Sequence, residues 1–317
     1  MVLPNPKSSI TQVPQSAITR KTTRVSSLVQ ALRVHQWIKN ILVFVPVLMA
    51  HRILDVREIL LAGYAFIAWC FCASAVYLLN DLLDLDTDRN HPRKKHRPLA
   101  ARAMGTKTAW ALIPLLLGSG LVIAIVLLPP SFLVALILYI ALTTAYSFGL
   151  KQLLIVDVLM LASLYALRVL SGGYATGIVV SPWLLGFSMF LFLSLAFVKR
   201  YTELSGSDGE NRIGPTRRGY TTQDMELLKV VGPASGYLAV LVMALYINSK
   251  EVSALYRKPT ILWLIGPLLL YWITRVWLLA HRGQMDDDPI VFTVKDPTSY
   301  VVGALIAAVI IAATLWK

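Results

Sequence analysis

Acidic side chains with regular spacing are the feature of this sequence most suggestive of chemistry. They form the run Asn80-Asp81-Leu82-Leu83-Asp84-Leu85-Asp86-Thr87-Asp88. If an α-helix continues through the run, each residue advances by about 100° and Asp86 points away from the others. The remaining oxygen-bearing side chains share an arc of about 100°; they are Asn80, Asp81, Asp84 and Asp88. Crowded carboxylates repel one another, and Mg²⁺ prefers hard oxygen ligands together with a substrate phosphate. The spacing therefore predicts a site for Mg²⁺ and a diphosphate, with the three aspartates of the arc as catalytic residues.

Basic residues follow the acidic run directly. A solvated loop at a membrane rim is the alternative interpretation of the run, but the regular spacing and the cations beyond it favour a site. Lys95 and Arg97 are candidate ligands for phosphate oxygens. Pro98 fixes the backbone next to Arg97, whereas the other cations of this loop are explained as readily by membrane topology or lipid contact.

The elements that must position such a site are membrane-spanning helices. The chain has 317 residues, 56% of them hydrophobic and 15% charged, against about 25% charged in soluble domains. A net charge of +13 would suggest nucleic acid in a soluble protein. In a membrane protein, basic loops facing anionic headgroups explain it, so no nucleic-acid partner is expected. Cys70 and Cys72, the only cysteines, lie in an apolar run where neither a disulfide nor a metal site is expected.

Nine segments approach the roughly 20 apolar residues that a spanning helix needs. They are 31–50, 58–80, 107–128, 131–148, 153–174, 182–199, 228–247, 259–280 and 298–316. Seven Lys or Arg residues lie in 81–107 and five in 199–218, but only two in 51–57 and three in 248–258. With nine spans the strongly basic connections share one side, so the positive-inside rule predicts a cytoplasmic N-terminus and site.

The predicted fold is an all-α integral membrane protein. The second and sixth spans each run into a charged extension and a long basic loop, and they lie four helices apart. That pattern favours two pseudo-repeated four-helix halves plus a ninth helix. Residues 1–26 are expected to form a disordered basic cytoplasmic tail, and 27–317 the catalytic domain.

Other polar side chains lie at the ends of these spans or within them. Lys39 is explained either by snorkelling to the interface or by phosphate binding. Asp157 and Arg168 lie eleven positions apart on nearly one face of the fifth span. Charged residues inside a span are costly, so both are expected to face a cavity. The acidic run 285–289 is interpreted as a solvated loop, and Asp296-Pro297 as the start of the last helix.

The pattern N-D-x-x-D-x-x-x-D resembles the first aspartate-rich motif of the UbiA superfamily of intramembrane prenyltransferases, whose nine-helix fold matches the span count. Within it, the chain is most similar to the decaprenyl-phosphate phosphoribosyltransferase branch. The matching stretches are Arg33–Asn40, Asn80–Pro92, His96–Ala100, Tyr146-Ser147 with Lys151 and Asp157, and Lys199–Leu204. The resemblance covers nearly all of the chain after about residue 28. It implies that Tyr146 and Lys151 flank the leaving diphosphate, although an interfacial tyrosine and a topological lysine explain them equally well.

The sequence departs from many members of the superfamily at the end of the sixth span. Lys199, Arg200 and Glu203 stand where those members carry a second aspartate-rich motif. The missing carboxylates argue against a prenyl diphosphate held by two metal-binding motifs. Lys199, as a catalytic residue, and Arg200 offer positive charge for a 5-phosphate or a diphosphate, while Glu203 could complete a metal shell or bind a sugar hydroxyl.

The resemblance implies an Mg²⁺-dependent transfer of 5-phosphoribose from 5-phosphoribosyl 1-diphosphate (PRPP) to a decaprenyl-type polyprenyl phosphate. Pyrophosphate is released, and the product serves synthesis of an arabinose donor for the cell envelope. The expected substrate-binding residues are Lys39, Lys95, Arg97, Tyr146, Lys151, Asp157, Arg168, Arg200 and Glu203. Two alternatives stay open: a prenyltransferase acting on an aromatic acceptor, and a non-catalytic transporter or lipid-binding protein. The expected location is the bacterial plasma membrane, among its lipids, and the sequence leaves a homo-oligomer open.

Overall fold

A computed structural model describes residues 24–315 except 91–93, 207–218, 250–251, 253–254 and 286–287. Every regular element in this part of the chain is a helix, as predicted. Eight helices, two of them extended at the start by a 3-10 turn, are long and apolar enough to cross a membrane. They are α1 (Val56–Leu83), α2 (Thr106–Leu127), α3 (Pro130–Phe148), α4 (Val156–Thr176), α5 (Pro182–Ser205), α6 (Met225–Ile247), α7 (Ile265–His281) and α8 (Pro297–Leu315).

Shorter helical segments connect these helices or precede them. They are Arg24–Ala31, Val34–Phe44, Val45–Met49, Leu85–Arg89, Lys94–His96, Leu150–Gln152, Thr222–Asp224, Pro259–Leu264 and Pro289–Lys295. The first of the nine predicted spans corresponds to a shorter apolar helix, Val34–Met49, which is 3-10 over most of its length. The chain is therefore a multi-pass membrane protein, while the count of nine spans and the duplication into halves stay predictions.

Helix boundaries follow local sequence signals. Pro129 is extended and Pro130 occupies the first turn of α3, so the two prolines form the tight turn between α2 and α3. Asp296 accepts a hydrogen bond from the backbone N–H of Ser299 at 2.8 Å, which confirms the predicted start of the last helix.

The outer surface of the bundle is apolar. On α2, Leu115, Val122 and Val126 are 63%, 59% and 70% exposed. Exposed apolar side chains on this scale mark a surface that contacts other apolar groups, and in a multi-pass protein those groups are lipid chains.

Close backbone contact fixes the N-terminal helical segment against α4. A Cβ atom added at Gly172 would lie 2.0 Å from the carbonyl oxygen of Val43, so only glycine allows this approach. The contact brings Asn40 of the N-terminal segment against Arg168 of α4, where the two side chains form a hydrogen bond of 2.9 Å.

Helices α1, α3, α5 and α7 end where polar side chains from different parts of the chain meet. Asp84 after α1 pairs with Lys151 after α3, and Asp157 at the start of α4 pairs with Arg200 near the end of α5. Lys39 pairs with Asp288, which follows α7. We call this end of the bundle the polar rim.

Candidate active site

The acidic run lies where α1 ends at the polar rim. Helix α1 stops at Leu83, Asp84 caps it with φ −94° and ψ 7°, and a short helix resumes at Leu85–Arg89. The unbroken helix assumed from the sequence is therefore wrong at Asp84. Asp81 and Asp88 are buried, 3% and 1% exposed, whereas the side chain of Asp86 is 95% exposed and points away, as predicted.

Arg97 contacts two of these buried carboxylates. Its Nη1 atom lies 3.1 Å from Oδ1 of Asp81 and 2.6 Å from Oδ2 of Asp88. Arg33 also donates to Asp81, at 2.5 Å, from a residue in the left-handed region with φ 50°. Such a conformation costs on the order of 1 kcal/mol and persists where the surrounding contacts require it. Two guanidinium groups thus compensate the charge of Asp81.

Asp84 faces a different cation. Its Oδ1 atom lies 3.6 Å from Nζ of Lys151, which sits in the 3-10 turn Leu150–Gln152 after α3. Asp84 thus pairs with a cation that follows α3, whereas Asp81 and Asp88 share Arg97.

The oxygen atoms of this region fit a divalent cation. Oδ1 of Asn80 and Oδ1 of Asp88 are buried without a hydrogen-bond partner among the described residues, a costly state for a polar atom. Mg²⁺ takes such oxygens and keeps several waters. No three described His, Cys, Asp or Glu side chains converge on one ion position, because Arg97 and Lys151 hold the carboxylates. The ready-made cluster predicted from the sequence is therefore not assembled, although its donors fit the metal.

A second cluster surrounds Arg200 near the end of α5. Its Nε atom lies 2.5 Å from Oδ2 of Asp157, it also donates to Glu203, and its Nη2 atom lies 3.4 Å from the hydroxyl of Tyr146. Tyr220, just before α6, donates to Asp157 at 2.8 Å. Burial and the neighbouring carboxylate raise the pKa of Tyr220, so its hydroxyl stays protonated. The cluster joins α3, α4 and α5, and the carboxylates of Asp157 and Glu203 face an arginine.

Arg168 lies deeper, within α4. It donates to Oδ1 of Asn40 at 2.9 Å and to the carbonyl oxygen of Leu164 at 2.7 Å. Its guanidinium lies over three aromatic rings at 4.9–5.5 Å from their centroids: Trp69, Tyr139 and Tyr165. Arg168 and Asp157 are both buried, but they have different partners. In the described part of the chain, aromatic faces and oxygen acceptors stabilise this cation instead of a carboxylate.

Lys39 and Lys199 lie at a third cluster. The ammonium of Lys39 pairs with Asp288, and its side chain is only 9% exposed. Burial alone would raise the pKa of Asp288, but Lys39 and Lys199 outweigh it and lower the pKa to about 2. The solvated loop predicted for 285–289 is therefore wrong at Asp288, while Asp286 and Asp287 lie outside the described residues.

Some predicted residues lie apart from these clusters. Lys95 is exposed and contacts no described carboxylate. Cys70 and Cys72 are free and buried, as expected. Most of the predicted N-terminal tail, 1–23, lies outside the described residues.

Sequence reasoning missed three residues of the site. Arg33 begins one of the stretches that carries the family resemblance, so a signal for it was present. Asp288 precedes Pro289 and caps the helix Pro289–Lys295, the same signal that identified Asp296. Nothing in the spacing points to Tyr220, because its partner Asp157 is 63 residues away.

Comparison with known proteins places the chain among relatives of one family. The UbiA prenyltransferase family profile matches residues 41–295. An uncharacterized Sinorhizobium fredii protein, y4nM, is 36% identical over 92% of this chain, which spans only 57% of that longer protein. Nodulation protein NoeC of Azorhizobium caulinodans is 34% identical over 86% of this chain and 88% of its own length. Decaprenyl-phosphate phosphoribosyltransferase of Mycolicibacterium smegmatis is 34% identical over 72% of each chain.

A solved structure shows the same fold. A UbiA homolog from Archaeoglobus fulgidus, bound to GPP and Mg²⁺, superposes with a TM-score of 0.65 over 91% of this chain and 99% of that one. The two sequences are 16% identical, so this likeness concerns the helical architecture.

Proposed function

The chain belongs to the UbiA prenyltransferase family, and we propose that it transfers 5-phosphoribose from PRPP to a decaprenyl-type polyprenyl phosphate. Pyrophosphate leaves, and the lipid product feeds synthesis of an arabinose donor for the cell envelope. The proposal places the enzyme in a bacterial plasma membrane with the polar rim towards the cytoplasm, where PRPP is soluble and the lipid phosphate reaches the interface.

The unequal chemistry of the two helix ends carries this proposal. The end of α1 presents buried acceptor oxygens, on Asn80 and Asp88, that have no hydrogen-bond partner among the described residues. The equivalent end of α5 presents Arg200, which pairs with both carboxylates near it, Asp157 and Glu203. One end thus suits a metal-bound diphosphate, whereas at the other end an arginine already holds the carboxylates that a second metal would need. The 34% identity to a decaprenyl-phosphate phosphoribosyltransferase over 72% of both chains supports the same assignment.

Asn80, Asp81, Asp84 and Asp88 would hold the divalent ion. When bound, Mg²⁺ neutralises the negative charge of the leaving diphosphate. Arg97 and Lys151 lie against these carboxylates and take the phosphate oxygens directly, since Arg binds phosphate with a planar fork and Lys as a point charge. Arg33 keeps Asp81 compensated while Arg97 turns to the substrate.

The cations on the other side would hold the phosphate of the acceptor or the 5-phosphate of the donor. The ammonium of Lys199 has no hydrogen bond or ion pair with a described residue and lies in the electrostatic field of Lys39 and Asp288. Arg200 is held by Asp157, with Tyr146 beside it. Glu203 pairs with Arg200 and would accept a hydrogen bond from a sugar hydroxyl of the donor.

The reaction needs no covalent intermediate. An oxygen of the lipid phosphate attacks C1 of the ribose as the bond from C1 to the diphosphate oxygen breaks. The bonding electrons leave with the diphosphate, so charge is conserved. The acceptor oxygen is already anionic, so no general base is required. The protein contributes by positioning and by electrostatic stabilisation.

Product analysis tests the proposal. Purified protein in micelles, given PRPP, decaprenyl phosphate and Mg²⁺, should form decaprenyl phosphoribose, detected by mass spectrometry. Asp84→Asn is the matched inactive control. Absence of this lipid with the wild-type protein would refute the proposal. Turnover lost in Asp84→Asn with folding retained would also exclude a transporter or lipid carrier.

A second candidate is transfer of an isoprenoid from its diphosphate to an aromatic acceptor. The architecture shared with a homolog that binds GPP and Mg²⁺ favours it. The arginine at the end of α5 opposes it, because a second set of metal-binding carboxylates is missing there. Labelled PRPP and labelled geranyl diphosphate, offered together, distinguish the two by which label enters the lipid fraction.

A further inference from the structure

Asp288 holds an unusual position among the buried cations of the polar rim. Its Oδ2 atom contacts the ammonium of Lys39, while its Oδ1 atom accepts hydrogen bonds from the N–H groups of Ile290 and Val291 at 3.1 and 3.3 Å. The side chains of Lys39 and Asp288 are 9% and 18% exposed. The carboxylate therefore fills the space where Lys39 would otherwise meet a substrate anion.

Lys199 approaches the same place from α5. It lines a small cavity of about 10 Å³ together with Leu161, Tyr165 and Pro289. A cavity of this size holds roughly one water, so a phosphate needs more room beside Lys199 than this cavity provides. The side-chain ammonium of Lys199 has no hydrogen bond or ion pair with any residue in the described part of the chain, so its charge is available.

Because Asp288 stays ionised, its carboxylate always competes with a substrate phosphate for Lys39 and Lys199. Its pKa of about 2 keeps the carboxylate charged at every pH where the protein would work. Two ammonium groups and one carboxylate leave one uncompensated positive charge. A tetrahedral phosphate with two charges and three free oxygens satisfies two ammonium groups better than a planar carboxylate with one charge.

We propose that Asp288 is an internal stand-in for a substrate phosphate: a phosphate monoester dianion binds between Lys39 and Lys199 by displacing the Asp288 carboxylate. This inference rests on the proposed function, in which two monoesters are available, the 5-phosphate of the donor and the phosphate of the lipid. The diphosphate of the donor is held elsewhere, at the end of α1. Asp288 then sets the apparent affinity, because the free protein must give up one ion pair before it gains another.

The test is phosphate binding to the full chain in micelles, without turnover. Asp288→Asn removes the charge but keeps a good helix cap, and Asp288→Ser provides a second capping variant. Inorganic phosphate should bind at least about 10-fold more tightly to either variant, read from the shift in melting temperature with concentration. Unchanged or weaker binding in a folded variant overturns the inference.

Matched variants isolate the effect. Asp296→Asn alters a neighbouring capping carboxylate that pairs with Arg275 and should leave phosphate affinity unchanged. Lys199→Gln should weaken phosphate binding both alone and combined with Asp288→Asn. If Lys199→Gln has no effect in either background, the phosphate lies elsewhere and the inference fails.

Two further ligands identify the source of the phosphate. Ribose 5-phosphate and a short, water-soluble isoprenyl phosphate are titrated into the wild type and into Asp288→Asn. A gain in affinity for one of them assigns the site to donor or acceptor. If Asp288→Asn binds inorganic phosphate more tightly but binds neither of the two phosphate esters more tightly, the assignment of the site to a substrate phosphate is overturned. These binding measurements do not require catalysis. If the gains in affinity are observed but no phosphoribosyl transfer is found, the proposed function is refuted and the phosphate site is not.

Discussion

Nε of Arg200 lies 2.5 Å from Oδ2 of Asp157, and the two side chains are 2% and 0% exposed. Removing one partner of such a buried pair leaves an uncompensated charge and costs roughly 3–5 kcal/mol. We therefore expect Asp157→Ala to lower stability strongly. Tyr220→Phe removes the hydrogen bond to Asp157 and the one from the N–H of Ile155, and should lower stability less, by roughly 2 kcal/mol. Thermal unfolding in detergent measures both effects. Asp157→Ala combined with Arg200→Gln should lose less stability than the sum of the two single losses, and strictly additive losses would contradict the pairing.

Replacing Arg97 tests the double contact with Asp81 and Asp88. Hydrogen bonds to charged groups contribute about 1.5–3 kcal/mol, so Arg97→Ala should lower kcat/KM for PRPP roughly 10- to 100-fold. Arg97→Lys keeps the charge without the planar fork and should restore only part of the activity. Steady-state kinetics at saturating Mg²⁺ measure this, and full activity in Arg97→Lys would show that the fork is unimportant.

The acidic run contains its own control. Asp88→Asn should lower turnover on the order of 100-fold by weakening the metal and diphosphate site. Asp86→Asn removes an equal charge two residues away, from a side chain that is 95% exposed, and should leave turnover nearly unchanged. Isothermal titration with Mg²⁺ gives an independent reading of the site. Equal effects of the two substitutions would place the site elsewhere.

Gly172 should tolerate no side chain. Gly172→Ala would force a methyl group to within 2.0 Å of the carbonyl oxygen of Val43, so we expect a loss of several kcal/mol or no folded protein. Gly118→Ala is the matched control, since nothing lies within 4 Å of its new methyl group. Alanine is about 1 kcal/mol better than glycine inside a helix, so this control should melt at the same temperature or higher.

Acid should weaken the Lys39–Asp288 pair in a defined window. The pKa of Asp288 falls from 3.8 to about 2 because Lys39 and Lys199 outweigh burial. A lowered acid pKa stabilises the folded state above the unfolded value, and the contribution, on the order of 2 kcal/mol, is lost as pH falls from about 4 to 2. The melting temperature should show this loss in the wild type, and a smaller one in Asp288→Asn. Identical pH profiles would contradict the assignment.

Most of the helices could be predicted from sequence, because twenty apolar residues in a row have few alternatives to a membrane helix. The start of α8 could also be predicted, since Asp296 and Pro297 together indicate a helix cap. The break at Asp84 could not, because no proline or glycine in the acidic run marks it. Likewise the acidic spacing indicated which side chains share a region, but their pairing with Arg33, Arg97 and Lys151 is a tertiary property. Asp288 was misjudged because a run of aspartates usually is solvated, and only its buried lysine partner distinguishes it.

Because Arg97 contacts Asp81 and Asp88, binding of a cation and binding of a phosphate at the end of α1 promote each other. A phosphate that draws Arg97 away frees Asp88 and leaves Asp81 paired with Arg33 alone, which favours binding of a cation. A cation that takes these carboxylates in turn frees Arg97 for a phosphate. Binding of the two is therefore thermodynamically linked, and the linkage is reciprocal. Pyrophosphate should tighten Mg²⁺ binding by the same factor by which Mg²⁺ tightens pyrophosphate binding, beyond the affinity that the two ions have for each other in water. Arg97→Ala should abolish this excess while leaving each ion able to bind alone.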